Sequence, residues 1–187
     1  VRDRLPAPGR SGRSTSEPPP GDPEDDPGDP EQVARQICLR LLTDRARTRT
    51  ELETALRKRD VPDEVAAGVL DRFTEVGLID DTAYAQAWVE TRQRGRGLAR
   101  RALAAELRRK GVDPGAVEQA LDRVDPEAER AAAVELVRKR LRGMTGLPPE
   151  VAARRLHGML ARKGYPAELA TAVVRAELDG LEPEQSL

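Results

Sequence analysis

One pattern recurs three times in this chain at nearly constant spacing: two leucines four residues apart, a basic pair, a stop residue and an apolar residue. Leu52 and Leu56 lead into Lys58-Arg59-Asp60-Val61 and then Val69-Leu70. Leu103 and Leu107 lead into Arg109-Lys110-Gly111-Val112 and then Ala120-Leu121. Leu156 and Leu160 lead into Arg162-Lys163-Gly164-Tyr165 and then Val173-Val174. The offsets are 51 and 53 residues. A self-similar period of this length marks tandem structural units, each too small to bury its own apolar face fully and so dependent on its neighbours.

The units are helical. Apolar residues at i and i+4 form one stripe of a helix, and aromatic residues make up only 2% of the chain, so a core must be built from Leu, Val and Ala. Ala and Leu, with Arg and Glu, are the strongest helix formers, whereas β-branched and aromatic strand formers are scarce. Local signals agree: Thr48 with Glu51 is a capping box, and Asp125-Pro126 before Glu129 supplies a cap and a first-turn proline. Pro62, Pro114 and Pro166 each fall at the start of a third helix, and Pro148-Pro149 at the start of the second helix of the last unit, where a missing amide hydrogen is tolerated.

The fold expected is therefore all-α: three tandem three-helix repeats in an elongated, curved, solenoid-like array with a disordered N-terminal tail. Repeat one spans residues 31–80, repeat two 81–125 and repeat three 126–180, with a C-terminal tail at 181–187. Residues 1–30 hold eight prolines among Gly, Ser and Asp, too little apolar surface to offset the entropy of ordering. Helices of roughly 13 residues are about 20 Å long and pack about 8–10 Å apart, so three units reach on the order of 70 Å. Such an object suits an extended partner better than a small ligand.

Composition narrows the function. The single cysteine, Cys38, has no intrachain partner, no run reaches the ~18 apolar residues of a membrane span, and no charged-then-apolar leader is evident. The cytoplasm is the expected compartment. His157 is the only histidine and has no nucleophile or second ligand at usable spacing, so neither catalysis nor a cofactor or metal is expected. Net charge is −1, but the charges are segregated. Residues 92–110 and 138–163 are strongly basic, whereas residues 60–90 carry eight acids against Arg72 alone.

The segment Gly77-Leu78-Ile79-Asp80-Asp81-Thr82-Ala83-Tyr84-Ala85-Gln86-Ala87-Trp88-Val89 resembles the signature of the RecX family. Thr48-Arg49-Thr50-Glu51-Leu52 and Glu106-Leu107-Arg108-Arg109-Lys110-Gly111-Val112 resemble its flanking stretches, and the likeness runs over residues 33–179. Tyr84 stands where Phe is usual, and Asp60 where Gly is usual. The resemblance implies a monomeric, cytoplasmic regulator that binds RecA and the RecA–DNA filament and inhibits its ATPase and strand-exchange activity in DNA repair and the SOS response.

Candidate contact residues for the partner or for DNA are Arg94, Arg96, Arg100, Arg101, Arg108, Arg109, Lys110, Arg138, Lys139, Arg140, Arg154, Arg155, Arg162 and Lys163. The ordinary reading of a charge run is a solvated helix face. Here the second helix is basic in each repeat, which favours one cationic side able to meet phosphates or an acidic protein groove. Arg94-Gly95-Arg96-Gly97 reads as a turn between the first two helices of repeat two. Gly77, Leu78, Asp80, Asp81, Tyr84 and Trp88 read as structural, with Asp80 an N-cap and Tyr84 and Trp88 both in the core. The competing function is a stand-alone helical DNA binder using the same basic face. The acidic stretch at 60–90, with another from Asp113 to Glu129, argues against it, because a phosphate binder gains nothing from acids.

Overall fold

The computed structural model describes residues 29–180. Among them are nine helices and no strand: α1 (Pro30–Asp44), α2 (Arg49–Arg57), α3 (Asp63–Glu75), α4 (Asp81–Arg96), α5 (Arg100–Arg109), α6 (Pro114–Asp122), α7 (Pro126–Leu141), α8 (Pro149–Arg162) and α9 (Ala167–Asp179). The fold is all-α, with three tandem three-helix repeats stacked in an elongated array. Of the two tails expected, residues 1–28 and 181–187 lie outside the described residues. Asp29 and Pro30, expected in the tail, belong to α1: the Asp29 carboxylate accepts the Glu31 N–H at 3.1 Å, and Pro30 is in the first turn.

Each repeat closes on its own core. In the first, α1 and α2 pack on α3; in the second, α4 and α5 pack on α6; in the third, α7 and α8 pack on α9. The three leucine pairs, Leu52/Leu56, Leu103/Leu107 and Leu156/Leu160, are all fully buried. Burial of a leucine side chain stabilises by about 1.5–3 kcal/mol relative to exposure, so these pairs anchor the repeats. Ala99 is the exception to the division, because it ends repeat two's first loop yet packs in the core of repeat three.

The stop residue after each second helix has a left-handed backbone: φ is 57° at Asp60, 72° at Gly111 and 87° at Gly164. At the two glycines a neighbour also presses in. A Cβ on Gly111 would lie 2.4 Å from Thr50 Cβ, and one on Gly164 would lie 2.4 Å from the backbone nitrogen of Ala102. Each glycine is thus where the preceding repeat docks.

The two junctions share one hydrogen-bonding scheme. Thr48 Oγ1 donates to the Lys110 carbonyl at 2.7 Å, and the Ala99 N–H donates to the Lys163 carbonyl at 2.9 Å. The first amide of α2, at Arg49, donates to Asp81 at 3.0 Å. Its counterpart on α5, at Arg100, donates to the buried Glu129 at 2.7 Å. In both cases an orphan amide at a helix start is satisfied by a carboxylate opening the next repeat. In repeat three, α8 begins with Pro148 at the cap and Pro149 at the first helical position, so neither has an amide hydrogen. Pro62 and Pro166 likewise occupy cap positions, one residue before the first turn, whereas Pro114 and Pro126 are in it.

Two sequence expectations change. α4 runs through Gly95 and stops only where Gly97 turns left-handed, its N–H bonded to the Gln93 carbonyl at 2.9 Å. The connector is thus Gly97–Ala99, and Gly95 is an exposed helical residue whose cost, about 1 kcal/mol against Ala, the helix tolerates. Trp88 is half-buried and lies over the core of repeat two from outside. Its stack on Tyr84, with ring centroids 5.8 Å apart, holds the indole at the edge. There the indole N–H donates to Glu106 at 2.9 Å, and the Arg92 guanidinium covers the ring face at 4.2 Å. A large ring with a polar handle is well suited to that position.

Candidate partner-binding surface

The candidate cations divide by what they touch. Several are engaged in holding the array together. Lys110 Nζ bonds Glu51 at 2.6 Å across the first junction. Lys163 Nζ donates to the Arg96 carbonyl across the second. Arg100 reaches Asp122 at 3.4 Å. Arg138 forms a two-pronged pair with Glu177 at 2.8 and 3.0 Å, tying α7 to α9. Arg94 pairs with Glu90 one turn away at 2.8 Å, an exposed contact worth a few tenths of a kcal/mol at most.

Burial raises the Glu51 pKa, but the Lys110 hydrogen bond and charge, the Arg45 charge and the Thr48 backbone N–H outweigh it. The carboxyl is held below its ordinary range. Asp81 shifts the opposite way. Its burial, together with Asp80 and Asp113 nearby, outweighs the Arg49 hydrogen bond and charge, so its pKa is raised.

Arg140, Arg154, Arg155 and Arg162 come together. They line one cleft between α7 and α8, floored by Gly158 and Met159 and containing no carboxylate. All four are exposed, and among the described residues they form no ion pair. Gly158 lies in the middle of α8, where glycine costs about 1 kcal/mol against alanine. A Cβ there would stand 3.3 Å from the Arg162 guanidinium, so the glycine leaves room for Arg162 to lie across the helix. Arg101, Arg108, Arg109 and Lys139 are at or near the surface of α5 and α7, with Arg109 beside Trp88 and Lys110.

The acids at 60–90 are mostly exposed, and several of them are paired within the chain. Asp71 pairs with Arg49 at 2.6 Å, Glu75 with Arg72 at 3.1 Å and Glu90 with Arg94. Asp80 caps α4 through the Ala83 N–H at 2.8 Å, as its position after Gly77-Leu78-Ile79 implied. The stretch from Asp113 to Glu129 is used similarly, with Asp113 and Asp125 capping α6 and α7. Asp81 and Glu129 were missed as junction residues by sequence reading. They stand 48 residues apart, off the period of the leucines, and one is Asp where the other is Glu.

A cavity of about 870 Å³ in repeat three is lined by Leu141, Met144, Leu147 and Leu178 along with the mutually satisfied Arg138–Glu177 pair. His157 at its edge contacts the Ala153 carbonyl through Nδ1 at 2.9 Å. Cys38 is fully buried in repeat one, and burial raises its thiol pKa to about 11. No group of three or more His, Cys, Asp or Glu among the described residues is placed to hold a metal ion, and no described helix is long and apolar enough to cross a membrane.

Comparison with known proteins places this architecture. Family models described as the first, second and third three-helix domains of RecX match residues 34–73, 80–121 and 127–174. The regulatory protein RecX of Thermobifida fusca (strain YX) is 59% identical over 146 residues, covering 78% of this chain and 79% of that protein. That of Streptomyces coelicolor is 56% identical over 153 residues, covering 82% and 81%. The crystal structure of RecX from Lactobacillus salivarius superposes with a TM-score of 0.75 over 82% of this chain and 99% of that one, at 22% identity, so the fold persists where the sequence has diverged. With all three repeats matched in order, the chain belongs to the RecX family of regulatory proteins.

Proposed function

We propose that this protein binds RecA and the RecA–DNA filament in the cytoplasm and inhibits the filament's ATPase and strand-exchange activity in DNA repair and the SOS response, acting as a monomer without a cofactor. Family membership supports the regulatory role. The observation that carries the contact with a nucleoprotein filament is the cleft of Arg140, Arg154, Arg155 and Arg162, in which no carboxylate stands to neutralise the guanidiniums. Arginine forks match phosphate oxygens, and their approach to DNA releases condensed counterions. Of the fourteen candidate cations, these three on α8 with Arg140 on α7 are the best placed to meet DNA. Lys110, Lys163, Arg100 and Arg138 act on the protein itself.

Sedimentation of the purified protein with RecA–DNA filaments, with bare DNA and with filament-free RecA tests this reading. Enrichment on filaments with suppression of ATP hydrolysis is the expected outcome. Replacing Arg154, Arg155 and Arg162 by Ala should weaken that enrichment and flatten the dependence of log affinity on log salt by about 0.9 for each duplex phosphate no longer neutralised. Equal affinity for bare DNA and for filaments, without any effect on ATP hydrolysis, would instead favour the stand-alone DNA binder.

A further inference from the structure

A second cavity, about 500 Å³, lies where repeat one meets repeat two. Its apolar wall comprises Leu42 near the end of α1, Ala46 in the α1–α2 connector, Leu78 in the α3–α4 turn, and Ala83 and Ala87 on α4. Leu78 is 48% exposed. Val33, Leu39, Val76 and Leu78 are the large apolar side chains left exposed among the described residues, and all four belong to repeat one. Single exposed apolar residues are ordinary on a protein surface. Their confinement to one repeat is not, and one of them, Leu78, lines the open cavity.

The polar wall is more informative. Tyr84, Arg47 and Arg92 line the same cavity. The Tyr84 hydroxyl, Arg47 Nε and Arg92 Nε are buried atoms with no hydrogen-bond partner. Arg92 Nε lies 3.2 Å from Glu106 Oε2, at an angle that makes an ion contact and no hydrogen bond. Buried polar groups are nearly always partnered, and a donor left without an acceptor destabilises the protein that carries it. Here three donor atoms without a hydrogen-bond partner belong to side chains around one apolar-walled opening; Arg47 reaches Asp44 at 3.4 Å only through another of its nitrogens, which leaves its Nε free to donate. The one acid on the wall, Asp80, is already bonded to the Ala83 N–H.

We propose that this cavity is a docking pocket for a segment of a protein partner that presents an apolar side chain beside a carboxylate. The apolar side chain fills the space against Leu78, Leu42 and Ala87, and the carboxylate accepts from the unpaired donors. This deepens the reading of RecA as the partner by giving the filament's protein its own contact, separate from the arginine cleft of repeat three. The signature-like segment from Gly77 to Val89 then serves two ends, because Ile79 and Ala85 are buried in the fold while Leu78, Tyr84 and Trp88 line the pocket.

Trp88 is the only tryptophan in the chain, so its emission reports occupancy directly. Full-length protein is titrated with a short capped peptide of Leu and Glu and, separately, with one of Leu and Gln. A saturable shift in emission is expected for the first and at least tenfold weaker binding for the second, as for a charge-assisted bond worth about 1.4 kcal/mol. Tyr84→Phe removes an unsatisfied hydroxyl, so thermal stability should hold or rise while binding of the Leu–Glu peptide weakens at least threefold. A merely structural tyrosine would not separate the two. Leu78→Glu, at an exposed position, should abolish the shift with the helical spectrum unchanged.

Both variants are then sedimented with RecA–DNA filaments, and affinity should fall at least tenfold for Leu78→Glu and threefold for Tyr84→Phe. Equal responses to the two peptides, or filament binding by both variants at the wild-type level, would overturn the pocket. Failure of the wild-type protein itself to bind filaments would remove RecA as the partner, and the peptide titrations would still decide whether the pocket takes a carboxylate.

Discussion

Gly164→Ala tests how tightly the repeats are joined. The backbone there has φ of 87°, and the new Cβ would stand 2.4 Å from the Ala102 nitrogen and 2.7 Å from the Ala102 Cβ. The left-handed backbone alone costs an L-residue about 1–2 kcal/mol. The neighbouring atoms are backbone and Cβ, with no rotamer to swing away, so repeat two must move off repeat three or strain. Overpacking of this kind costs roughly 1–3 kcal/mol, and retreat would stretch the Ala99–Lys163 hydrogen bond, worth about 1 kcal/mol. The sum is about 3–6 kcal/mol, or a fall of roughly 10–15 °C in thermal midpoint for a protein of this size. Gly146→Ala isolates the backbone share, because Gly146 has φ of 79° and nothing within 4 Å of its added Cβ. Urea unfolding followed by helical circular dichroism should show Gly164→Ala losing about 2 kcal/mol or more beyond Gly146→Ala. Equal losses for the two variants would mean that Ala102 does not press on Gly164, and that the repeats are not interlocked there.

Glu51→Gln should destabilise the protein by about 1–2 kcal/mol at neutral pH through loss of the Lys110 ion pair. Because the folded-state pKa of Glu51 is lowered, its contribution is complete above the ordinary carboxylate range and disappears as the pH falls through the lowered value. Wild-type and variant stabilities should therefore converge in acid, and a gap that widens on acidification would contradict the assignment. Trp88→Ala should cost about 2 kcal/mol, below the ~3–5 of a fully buried large side chain, with Trp88→Phe keeping most of the stack. A loss above about 4 kcal/mol would put Trp88 in the core. The Cys38 thiol, buried and with its pKa raised to about 11, should react with a disulfide reagent only at the rate of unfolding. Rapid labelling of the native protein would show that repeat one opens.

The leucine pairs were legible because burial dictates them: a four-residue apolar spacing repeated at 51 and 53 residues has no other economical reading. The Asp80 cap was legible because its signal is local. Charged residues were much harder to place. Lys110 and Arg109 are adjacent in sequence and alike in type, yet Lys110 ties two repeats together and Arg109 has no such bond. What separates them is the direction of each side chain around a helix relative to a neighbouring repeat, which linear spacing does not encode. Trp88 illustrates another limit. An i, i+4 aromatic pair shares a helix face, but whether that face is covered depends on how much of the next layer reaches it, and only Tyr84 is reached. The acids of residues 60–90 do face outward, but their partners at Arg49 and Arg94 come from other turns and other helices and were not legible.

The interlock between repeats also sets how many there can be. A further unit placed before repeat one would have to press its second helix onto Asp60, which already carries the Cβ that Gly111 and Gly164 lack. One placed after repeat three would need an amide hydrogen from the start of α8, where Pro148 and Pro149 offer none. Neither end of the array therefore offers the contact that joins its own repeats. The array is thus closed by a side chain at one end and an imino acid at the other.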